Sequence, residues 1–361
     1  MIAKVDWNEV RQLEQGGFIL VNKHPEHNLW VLKYTPECEF KKHWTPLTKT
    51  CRGLVIDEYG IIWSRPFPKF FNNRGMETDE GGNQLDWSKP FIVTEKIDGS
   101  CIQMFRYGDE LITATLGSFT SEQSLEAKKI TSELQINTSA IMKGATFVFE
   151  VIYPENRIVV NYGDSRRLVL LGVVDALTGA EVAYNDLHIQ GNHLGCEVVK
   201  SIDIADPISL IELQKRSEYL NEEGYVVRFD DNGTCFRVKV KFEQYFVMHK
   251  LWTGMSDRYV LEYLRDNSTK LTEHLEEIPD EFFEEIKKIE DKLLNSFADH
   301  KHAAESLFKK LWFQSTTKKD FALLVMEDDH SRSYNTVLFA MWDDKQDVAT
   351  KCLWNMVEKE R

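Results

Sequence analysis

The chain has 361 residues, of which 42% are hydrophobic and 12% aromatic, so its composition excludes a disordered or low-complexity protein and allows two domains. Its formal charge of −14, from 44 basic and 58 acidic residues, argues against a protein that coats nucleic acid without specificity, although a local basic groove stays open. The cysteines are scattered without a CxxC pair, no apolar run approaches the roughly 20 residues that span a bilayer, and the N-terminus lacks a signal-peptide pattern, so we expect a soluble cytoplasmic protein.

The first 70 residues predict a mixed segment of helix and strands that ends in a hairpin. Its predicted elements are a short helix at 7–13, strands at 18–21 and 29–32, and a hairpin formed by 49–57 and 61–66. Arg52 lies where the first hairpin strand begins, and Lys69 and Phe71 follow the second. On these residues alone, the two cations are either solvated strand ends or part of a binding site.

A lysine ends a short apolar strand further along the chain. The apolar run Phe91–Val93 predicts a short buried strand, and Gly99 indicates a turn after it. Lys96 and Asp98 lie between this run and the glycine. Because they are two residues apart on an extended chain, Lys96 and Asp98 point to the same face. A lysine amine is a nucleophile only without its proton, which requires burial and cationic neighbours that lower its pKa. The alternative is an ordinary surface lysine beside a turn.

The middle of the chain predicts mainly strands, one of which contains a carboxylate. The predicted elements are a hairpin at 101–107 and 111–115, a helix at 121–141, a strand at 146–153, a turn and strand at 154–162, and a strand at 168–175. Glu150 is the charged residue of the 146–153 strand. A glutamate in a buried strand is costly unless it meets a cation, a metal or a hydroxyl. Glu150 therefore faces such a partner or, in the other register, solvent.

Two further strands carry the remaining candidate residues. Glu223-Gly224 opens an apolar strand at 222–229, and the segment 235–242 alternates between cationic and apolar residues. The cations share one face of that second strand: they are Arg237, Lys239 and Lys241. This face is either a phosphate-binding surface or an exposed sheet face that balances an acidic protein.

From about Ser256 the hydrophobic spacing becomes helical. We expect its large aromatic residues to be core residues rather than platforms for base stacking: these are Trp312, Phe313, Trp342 and Trp354. The predicted fold class is therefore α+β, with antiparallel strands in a first domain at 1–250 and an all-α second domain at 251–361.

Taken in order, the candidate residues form a series of motifs. The series is Cys51-Arg52-Gly53, Lys69-Phe70-Phe71-Asn72, Lys96-x-Asp98-Gly99, Glu150 within a strand, Pro154-x-Asn156-Arg157, Glu223-Gly224-Tyr225, and Lys239-Val240-Lys241 with Tyr245 beyond. It resembles the covalent nucleotidyltransferase superfamily of polynucleotide ligases and RNA capping enzymes, and within it the T-even bacteriophage RNA ligase 1 family. The resemblance spans 45–250 and implies an antiparallel-sheet, ATP-grasp-like nucleotidyltransferase domain at 1–250, with the helical domain at 251–361 serving RNA specificity.

The resemblance implies an ATP-dependent RNA ligase. Lys96 would attack the α-phosphorus of ATP and release pyrophosphate. The AMP would then pass to an RNA 5′-phosphate, and an RNA 3′-hydroxyl would displace it to form the phosphodiester. The implied cofactors are ATP and either Mg²⁺ or Mn²⁺, which prefer oxygen ligands.

The other motif residues divide into three implied roles. Lys239 and Lys241 would neutralise the α-phosphate and lower the pKa of Lys96. Carboxylates would bind the metal, with Asp98 also orienting Lys96 and Glu150 also accepting from ribose hydroxyls: they are Asp98, Glu150 and Glu223. The nucleotide and the leaving pyrophosphate would be held by a further set: Arg52, Lys69, Phe71, Glu150, Gly224 and Tyr245.

One segment departs from the family. A lysine is usual in a Ser-Lys-Gly-Ser-like segment after the nucleophile, and this chain has Leu116 at that position, within 115–119. A phosphate contact is therefore missing or supplied from elsewhere, and we expect a changed affinity for ATP or RNA ends.

Two other functions are compatible with the motifs. A non-catalytic protein on a ligase fold would bind RNA ends or nucleotides, although every motif position holds a competent residue. A DNA ligase or capping enzyme of the same superfamily usually carries an OB-fold after the last motif, which the helical tail argues against. For an RNA ligase of this family, the expected partners are RNA ends, such as a cleaved tRNA anticodon loop, and a polynucleotide kinase-phosphatase. We expect a monomer without membrane contact, in the host cytoplasm if a phage encodes it.

Overall fold

Strands and helices share the first part of the chain, whereas the described residues of the last part are helical. The structure is a computed structural model that describes residues 4–204, 206–215, 221–231, 234–252, 256–267, 270 and 280–359. Contacts between Cα atoms divide the chain into two compact units, one of most residues up to Phe246 and one of most residues from Val247 onward. The α+β fold class is confirmed, while the functions assigned to 1–250 and 251–361 stay predictions.

The helices and strands follow one another as the sequence indicates. Up to residue 252 they are α1 (Trp7–Gln15), β1 (Ile19–Lys23), β2 (Leu29–Tyr34), α2 (Pro36–Phe40), α3 (Pro46–Thr50), β3 (Arg52–Asp57), β4 (Ile62–Ser64), β5 (Phe71–Arg74), β6 (Thr78–Asp79), β7 (Phe91–Glu95), β8 (Ser100–Tyr107), β9 (Glu110–Thr115), α4 (Glu122–Glu133), β10 (Ala145–Ile152), β11 (Arg167–Asp175), α5 (Tyr184–Leu194), β12 (Glu197–Val198), β13 (Ser201–Ile202), α6 (Pro207–Gln214), β14 (Gly224–Asp231), β15 (Thr234–Lys241) and α7 (Glu243–Trp252). The later helices are α8 (Ser256–Asn267), α9 (Asp280–Gln314), α10 (Lys318–Glu327), α11 (Asp329–Ser333), α12 (Asn335–Trp342) and α13 (Gln346–Lys359).

Within the described residues, the strands form three sheets. Their strand orders are β1-β2-β3-β4, β12-β11-β10-β8-β9 and β13-β7-β14-β15-β5-β6. The pairings are antiparallel except for β11 with β12 and β15 with β5, which are parallel. In the six-stranded sheet, β7 leads to Lys96, and β15, which carries Lys239 and Lys241, lies two strands away.

The alternation of β10 decides which way Glu150 points. Phe147, Phe149 and Val151 are buried in the large core that α4 and α5 cover. Val148 faces the opposite side, where it packs with Phe67 and Val174. Because strand residues alternate between faces, Glu150 shares the face of Val148. Glu150 is half-buried there, and its carboxyl lies on the side of β10 away from that large core.

One predicted helix is shorter in the structure, and one predicted strand does not form. The helix predicted at 121–141 ends at Glu133, because Gln135 has φ +52°, a left-handed conformation that no α-helix continues. The strand predicted within 154–162 does not form. Its two central N–H groups, those of Val159 and Val160, donate to the carboxylate of Asp98 instead of to a neighbouring strand.

Among the described residues of the second unit, an apolar cluster joins α9, α10, α12 and α13. That cluster includes Leu311 of α9, Phe321 and Val325 of α10, and Val337 of α12. The expectation that the large aromatics are core residues holds for Trp354, which is buried. It is wrong for Trp312 and Phe313, which are 46% and 78% exposed. No helix among the described residues is long and apolar enough to cross a bilayer.

Candidate active site

Strands of the five-stranded and six-stranded sheets line a cavity of about 630 Å³, its open mouth included. The polar residues that line it are Arg52, Thr94, Glu95, Lys96, Cys101, Glu150, Arg237 and Lys239. The apolar residues that line it are Phe67, Phe70, Ile97, Leu171, Val199 and Val226. The fold thus brings together four predicted site residues from four distant motifs, namely Arg52, Lys96, Glu150 and Lys239.

A single carboxylate joins two of the predicted lysines. Lys96 Nζ donates to Glu223 Oε2 over 2.6 Å, and Lys241 Nζ lies 2.6 Å from Glu223 Oε1. Glu223 is 3% exposed, and the side chains of Lys96 and Lys241 are 20% and 18% exposed. The backbone contributes as well, because Lys96 N donates to Gly224 O over 2.8 Å and so extends the pairing of β7 with β14. The result is a largely buried Lys96–Glu223–Lys241 network.

The protonation of this network differs from the sequence-based expectation. Burial lowers the pKa of Lys96, but the nearby carboxylates, Glu223 first among them, raise it by more, so the net pKa lies above the ordinary lysine value. Burial raises the pKa of Glu223, but Lys96 and Lys241 lower it below its usual range. The direction is therefore opposite to the predicted lowering of the Lys96 pKa by cationic neighbours, because Glu223 lies between the lysines.

Glycine is required where Glu223 enters β14. Gly224 has φ +139°, and a Cβ placed there would stand 2.2 Å from Val240 O on the neighbouring strand. No side chain fits at that distance, and the backbone conformation itself favours glycine. The Glu223-Gly224 pair thus reaches the site because glycine lets β14 approach β15 closely at the point where the carboxylate turns inward.

Asp98 is an anchor for the turn that carries Lys96. Its Oδ2 accepts from the N–H groups of Val159 and Val160 over 2.8 and 2.9 Å, and its Oδ1 accepts from the Tyr245 hydroxyl over 2.8 Å. The side chain is 4% exposed. With both oxygens engaged, the geometry favours a positioning role and does not favour the predicted role of Asp98 as a metal ligand. Tyr245, predicted to bind the nucleotide, here supports Asp98.

The carboxyl of Glu150 faces the cavity and has a raised pKa. Burial raises the pKa of Glu150 to about 8, against a partial lowering by Lys96. Among the described residues, no hydrogen bond or ion pair is formed by this carboxyl. Glu150 is half-buried, so its carboxyl keeps some exposure to the cavity. The group is therefore suited to accept from, or donate to, a polar ligand that enters the cavity.

Phe70 forms the floor beneath two cations of the cavity. Arg52 Cζ lies 5.2 Å and Lys239 Nζ 4.8 Å from the centroid of its ring. Burial, and after it the charge of Arg52, lowers the pKa of Lys239 well below the lysine value. The lysine with a lowered pKa is thus Lys239 and not Lys96.

Lys69 and Phe71 lie outside the lining of this cavity. Lys69 is enclosed by the rings of Tyr34, Trp44 and Phe71, at 4.9, 5.2 and 5.3 Å, and pairs with Glu39. Their predicted contacts with nucleotide and pyrophosphate stay predictions, while the neighbouring Phe70 lines the cavity. The sequence could not separate Phe70 from Phe71, because both are aromatic and adjacent, and either suits a buried position.

The three cations on one face of β15 have different surroundings. Arg237 makes a two-point ion pair with Glu181 and stacks over Phe67, 3.9 Å from its centroid. Lys241 is held by Glu223, as above. Lys239 is therefore the member of the predicted phosphate-binding stripe that faces the cavity without an ion pair among the described residues.

Oxygen donors suited to a hard divalent cation are present, but not as a complete cage. No group of three or more His, Cys, Asp or Glu residues in the described part of the chain could hold a metal by itself. Mg²⁺ commonly takes only one or two protein carboxylates together with substrate phosphates. Glu150, which faces the cavity and has no partner in the part of the chain that the structure describes, fits that pattern. Glu223 fits it only after giving up one of its two ammonium partners.

The sequence of this chain matches that of a known family. A profile of an RNA ligase family, that of T4 RNA ligase 1, matches residues 50–250, more than half of the chain. This chain therefore belongs to the T4 RNA ligase 1 family.

Individual relatives are distant. A protein of Autographa californica nuclear polyhedrosis virus, classed as a bifunctional polynucleotide kinase and RNA ligase, is 29% identical over 254 residues, which are 64% of this chain and 35% of that protein. A protein of Thermovibrio ammonificans, classed as an RNA ligase, is 31% identical over 219 residues, 58% of this chain and 55% of that protein. The chain thus spans about a third and about half of these two relatives. The structure of an archaeal ATP-dependent RNA ligase is 14% identical, with a TM-score of 0.48 over 79% of this chain and 75% of that one.

Proposed function

We propose that this chain is an ATP-dependent RNA ligase that joins 5′-phosphate and 3′-hydroxyl RNA ends through a lysyl-AMP on Lys96. The observation that supports it best is the cavity itself. One part of its wall is apolar, which suits a base, and the other carries Lys96, Arg52 and Lys239, which suit phosphates. Membership of the family makes this function more specific than the cavity alone would.

In the first step, Lys96 Nζ would form a P–N bond to the α-phosphorus of ATP while the P–O bond to pyrophosphate breaks. The amine must first lose a proton, and its resting pKa is raised by Glu223. Binding of the nucleotide therefore has to loosen the Lys96–Glu223 ion pair. Lys239 and Arg52 would stabilise the charge on the phosphate. A bound Mg²⁺ or Mn²⁺, held by oxygens of Glu150 and Glu223 with phosphates of ATP, would neutralise further negative charge.

In the later steps, an oxygen of the RNA 5′-phosphate would attack the same phosphorus, the P–N bond would break, and Lys96 would recover a proton. The 3′-hydroxyl of the second RNA end would then attack the activated 5′-phosphorus, and AMP would leave with its bond to that phosphorus broken. Asp98 would hold the turn of Lys96 in place throughout, through its contacts with Val159, Val160 and Tyr245.

The test is incubation with α-labelled ATP and Mg²⁺ or Mn²⁺, followed by a denaturing gel. We expect label on the wild type, its removal by added pyrophosphate, and no label on Lys96→Ala. Absence of label on folded wild type with both metals would contradict the proposal and favour a non-catalytic protein that binds nucleotides or RNA ends. Preference for DNA ends, or for labelled GTP, would favour the DNA ligase or capping-enzyme alternative.

We further propose that the second unit selects the RNA. Between Lys309 and Lys319 the chain carries no carboxylate, and the lysines of this stretch are exposed: they are Lys309, Lys310, Lys318, which pairs with Asp343, and Lys319. Phe313, 78% exposed, follows Lys309 by one helical turn on α9. An exposed ring between lysines is suited to stack a base and bind the adjoining phosphates.

A comparison of nicked tRNA with a linear RNA tests this second proposal. We expect Phe313→Ala to reduce joining of nicked tRNA more than joining of linear RNA, with self-adenylation unchanged. Equal joining of both RNAs by the wild type would contradict a specialised role in tRNA repair.

We propose a polynucleotide kinase-phosphatase as the functional partner and the cytoplasm as the location. The viral relative is classed as both kinase and ligase, and all six cysteines lie in described residues and are free, which suits a reducing compartment. RNA with a 5′-hydroxyl and a phosphorylated 3′-end should be joined only after treatment with such an enzyme. Joining of the untreated RNA would contradict the proposal.

A further inference from the structure

The turn that follows β9 rests against a lysine of the first sheet. Thr115 N donates to Ser118 O over 2.8 Å, which closes the turn around Leu116 and Gly117. A Cβ on Gly117 would stand 2.8 Å from Lys33 Cδ, so the aliphatic part of Lys33 lies directly on this glycine. Asn22 Nδ2 donates to Gly117 O over 2.7 Å and fixes the turn to β1. Lys33 therefore packs against the 115–118 turn, in which Leu116 is the second residue.

Lys33 also lies next to a cation of the cavity. Lys33 on β2 pairs directly with Arg52 on β3, and Arg52 lines the cavity. Gln103 ties the two regions together, since its Nε2 donates to Gly53 O over 2.8 Å and to Thr115 O over 3.2 Å. The end of β9, the start of β3 and Lys33 therefore lie side by side, next to the part of the cavity wall that Arg52 forms.

This arrangement is unfavourable without an anion. Like charges directly opposite one another on paired strands destabilise a sheet. Within the described residues, neither Lys33 nor Arg52 forms an ion pair, although the chain carries 58 acidic residues. Lys33 is exposed, and Arg52 is half-buried. Glu150 lines the same cavity as Arg52, and the charge of Arg52 lowers the pKa of that carboxyl, but the two form no ion pair among the described residues. Two adjacent cations without an ion pair at the edge of a cavity are suited to hold a phosphate.

We propose that Lys33 and Arg52 form a phosphate subsite that binds the 5′-phosphorylated end of the RNA substrate, with Lys33 supplying the cation that the 115–118 turn lacks. The proposal rests on the RNA ligase function proposed above. Lys33 is not part of the cavity lining, so its phosphate belongs to a ligand that extends out of the cavity. The RNA end extends in this way after the AMP has occupied the cavity.

The experiment compares Lys33→Ala with Lys23→Ala, an exposed lysine on the adjacent strand β1 that contacts Trp30. Each variant is assayed for self-adenylation with α-labelled ATP and, once adenylated, for AMP transfer to a 5′-phosphorylated RNA at several salt concentrations. We expect Lys33→Ala to adenylate within about twofold of wild type and to need about tenfold more RNA for transfer. Its salt slope should shrink by about one phosphate contact. Lys23→Ala should match the wild type.

A double variant makes the test reciprocal. Leu116→Lys added to Lys33→Ala should restore much of the RNA transfer, because it returns a cation to the same place. Equal transfer by Lys33→Ala and Lys23→Ala would overturn the proposal. Loss of self-adenylation with normal transfer would overturn it too, since the phosphate would then be that of ATP.

The proposal can fail independently of the ligase function. If the wild type does not adenylate itself, the ligase function fails. Fluorescence anisotropy with labelled 5′-phosphate and 5′-hydroxyl RNAs then tests Lys33 alone. Wild type should prefer the 5′-phosphate RNA and Lys33→Ala should lose that preference, whereas an unchanged preference would overturn the subsite.

Discussion

Replacing Glu223 with glutamine tests whether one carboxylate holds Lys96 and Lys241 together. Glu223 is 3% exposed and makes two contacts of 2.6 Å with these lysines, which are 20% and 18% exposed. Removing one partner of a buried ion pair costs about 3–5 kcal/mol. Because both lysines retain some contact with water, we expect the low end, a loss of about 3 kcal/mol in the free energy of unfolding. This loss corresponds to a fall of about 6–12 °C in Tm.

The variant should also change the protonation of Lys96. Glu223 is the neighbour that most raises the pKa of Lys96, so the amine of Glu223→Gln should lose its proton at lower pH. The contribution of Glu223 to the stability of the fold also depends on pH. The pKa of Glu223 is lowered in the folded protein, so its stabilisation is present above the unfolded pKa and is lost as pH falls through the folded one. The difference between wild type and variant should therefore shrink in acid.

Thermal unfolding followed by circular dichroism measures the first effect, and acylation of Lys96 against pH, followed by mass spectrometry, measures the second. Glu37→Gln is the matched control, because its ion pair with Lys41 is exposed on both sides and should contribute under about 1 kcal/mol. If Glu223→Gln melts within a degree or two of Glu37→Gln, or if the acylation profile of Lys96 does not move, then Glu223 does not hold the two lysines together.

Three further substitutions test the neighbouring contacts. Asp98→Ala should lower the free energy of unfolding in urea by about 3 kcal/mol and abolish self-adenylation, because it leaves the N–H groups of Val159 and Val160 buried without acceptors. Asp98→Asn should lose less stability, since its amide oxygen can still accept from both N–H groups. Equal losses in the two variants would contradict this role of Asp98. The Tm of Glu150→Gln relative to wild type should rise as pH rises from 4.5 to about 8. The reason is that the raised pKa of Glu150 makes its ionisation in the folded wild type costly. A Tm difference that does not vary with pH would refute the raised pKa. Gly224→Ala should fail to accumulate as folded protein, since its Cβ would stand 2.2 Å from Val240 O, whereas Gly108→Ala, with open space at φ +61°, should cost only about 1 kcal/mol; similar yields of the two would refute the steric argument.

Much of the fold follows from local pattern. Apolar runs bounded by turn residues place β8, β9 and β10 within a residue of their predicted bounds, and alternation of cationic and apolar residues does the same for β15. The failures have a common cause. The strand predicted within 154–162 is replaced by contacts with Asp98, about sixty residues away, and no local periodicity indicates such a partner.

For the site, the sequence by itself determines which residues are present and in what order: a lysine at a strand end, Asp98 and Gly99 after it, a carboxylate in an apolar strand, and lysines on one face of β15. The tertiary structure alone decides how they are used. It inserts Glu223 between Lys96 and Lys241, which reverses the expected direction of the Lys96 pKa. It also turns Phe70 rather than Phe71 into the cavity. The reason is physical: the charge felt by a buried group depends on neighbours brought close by pairing of distant strands, and their distance in space is independent of their distance along the chain.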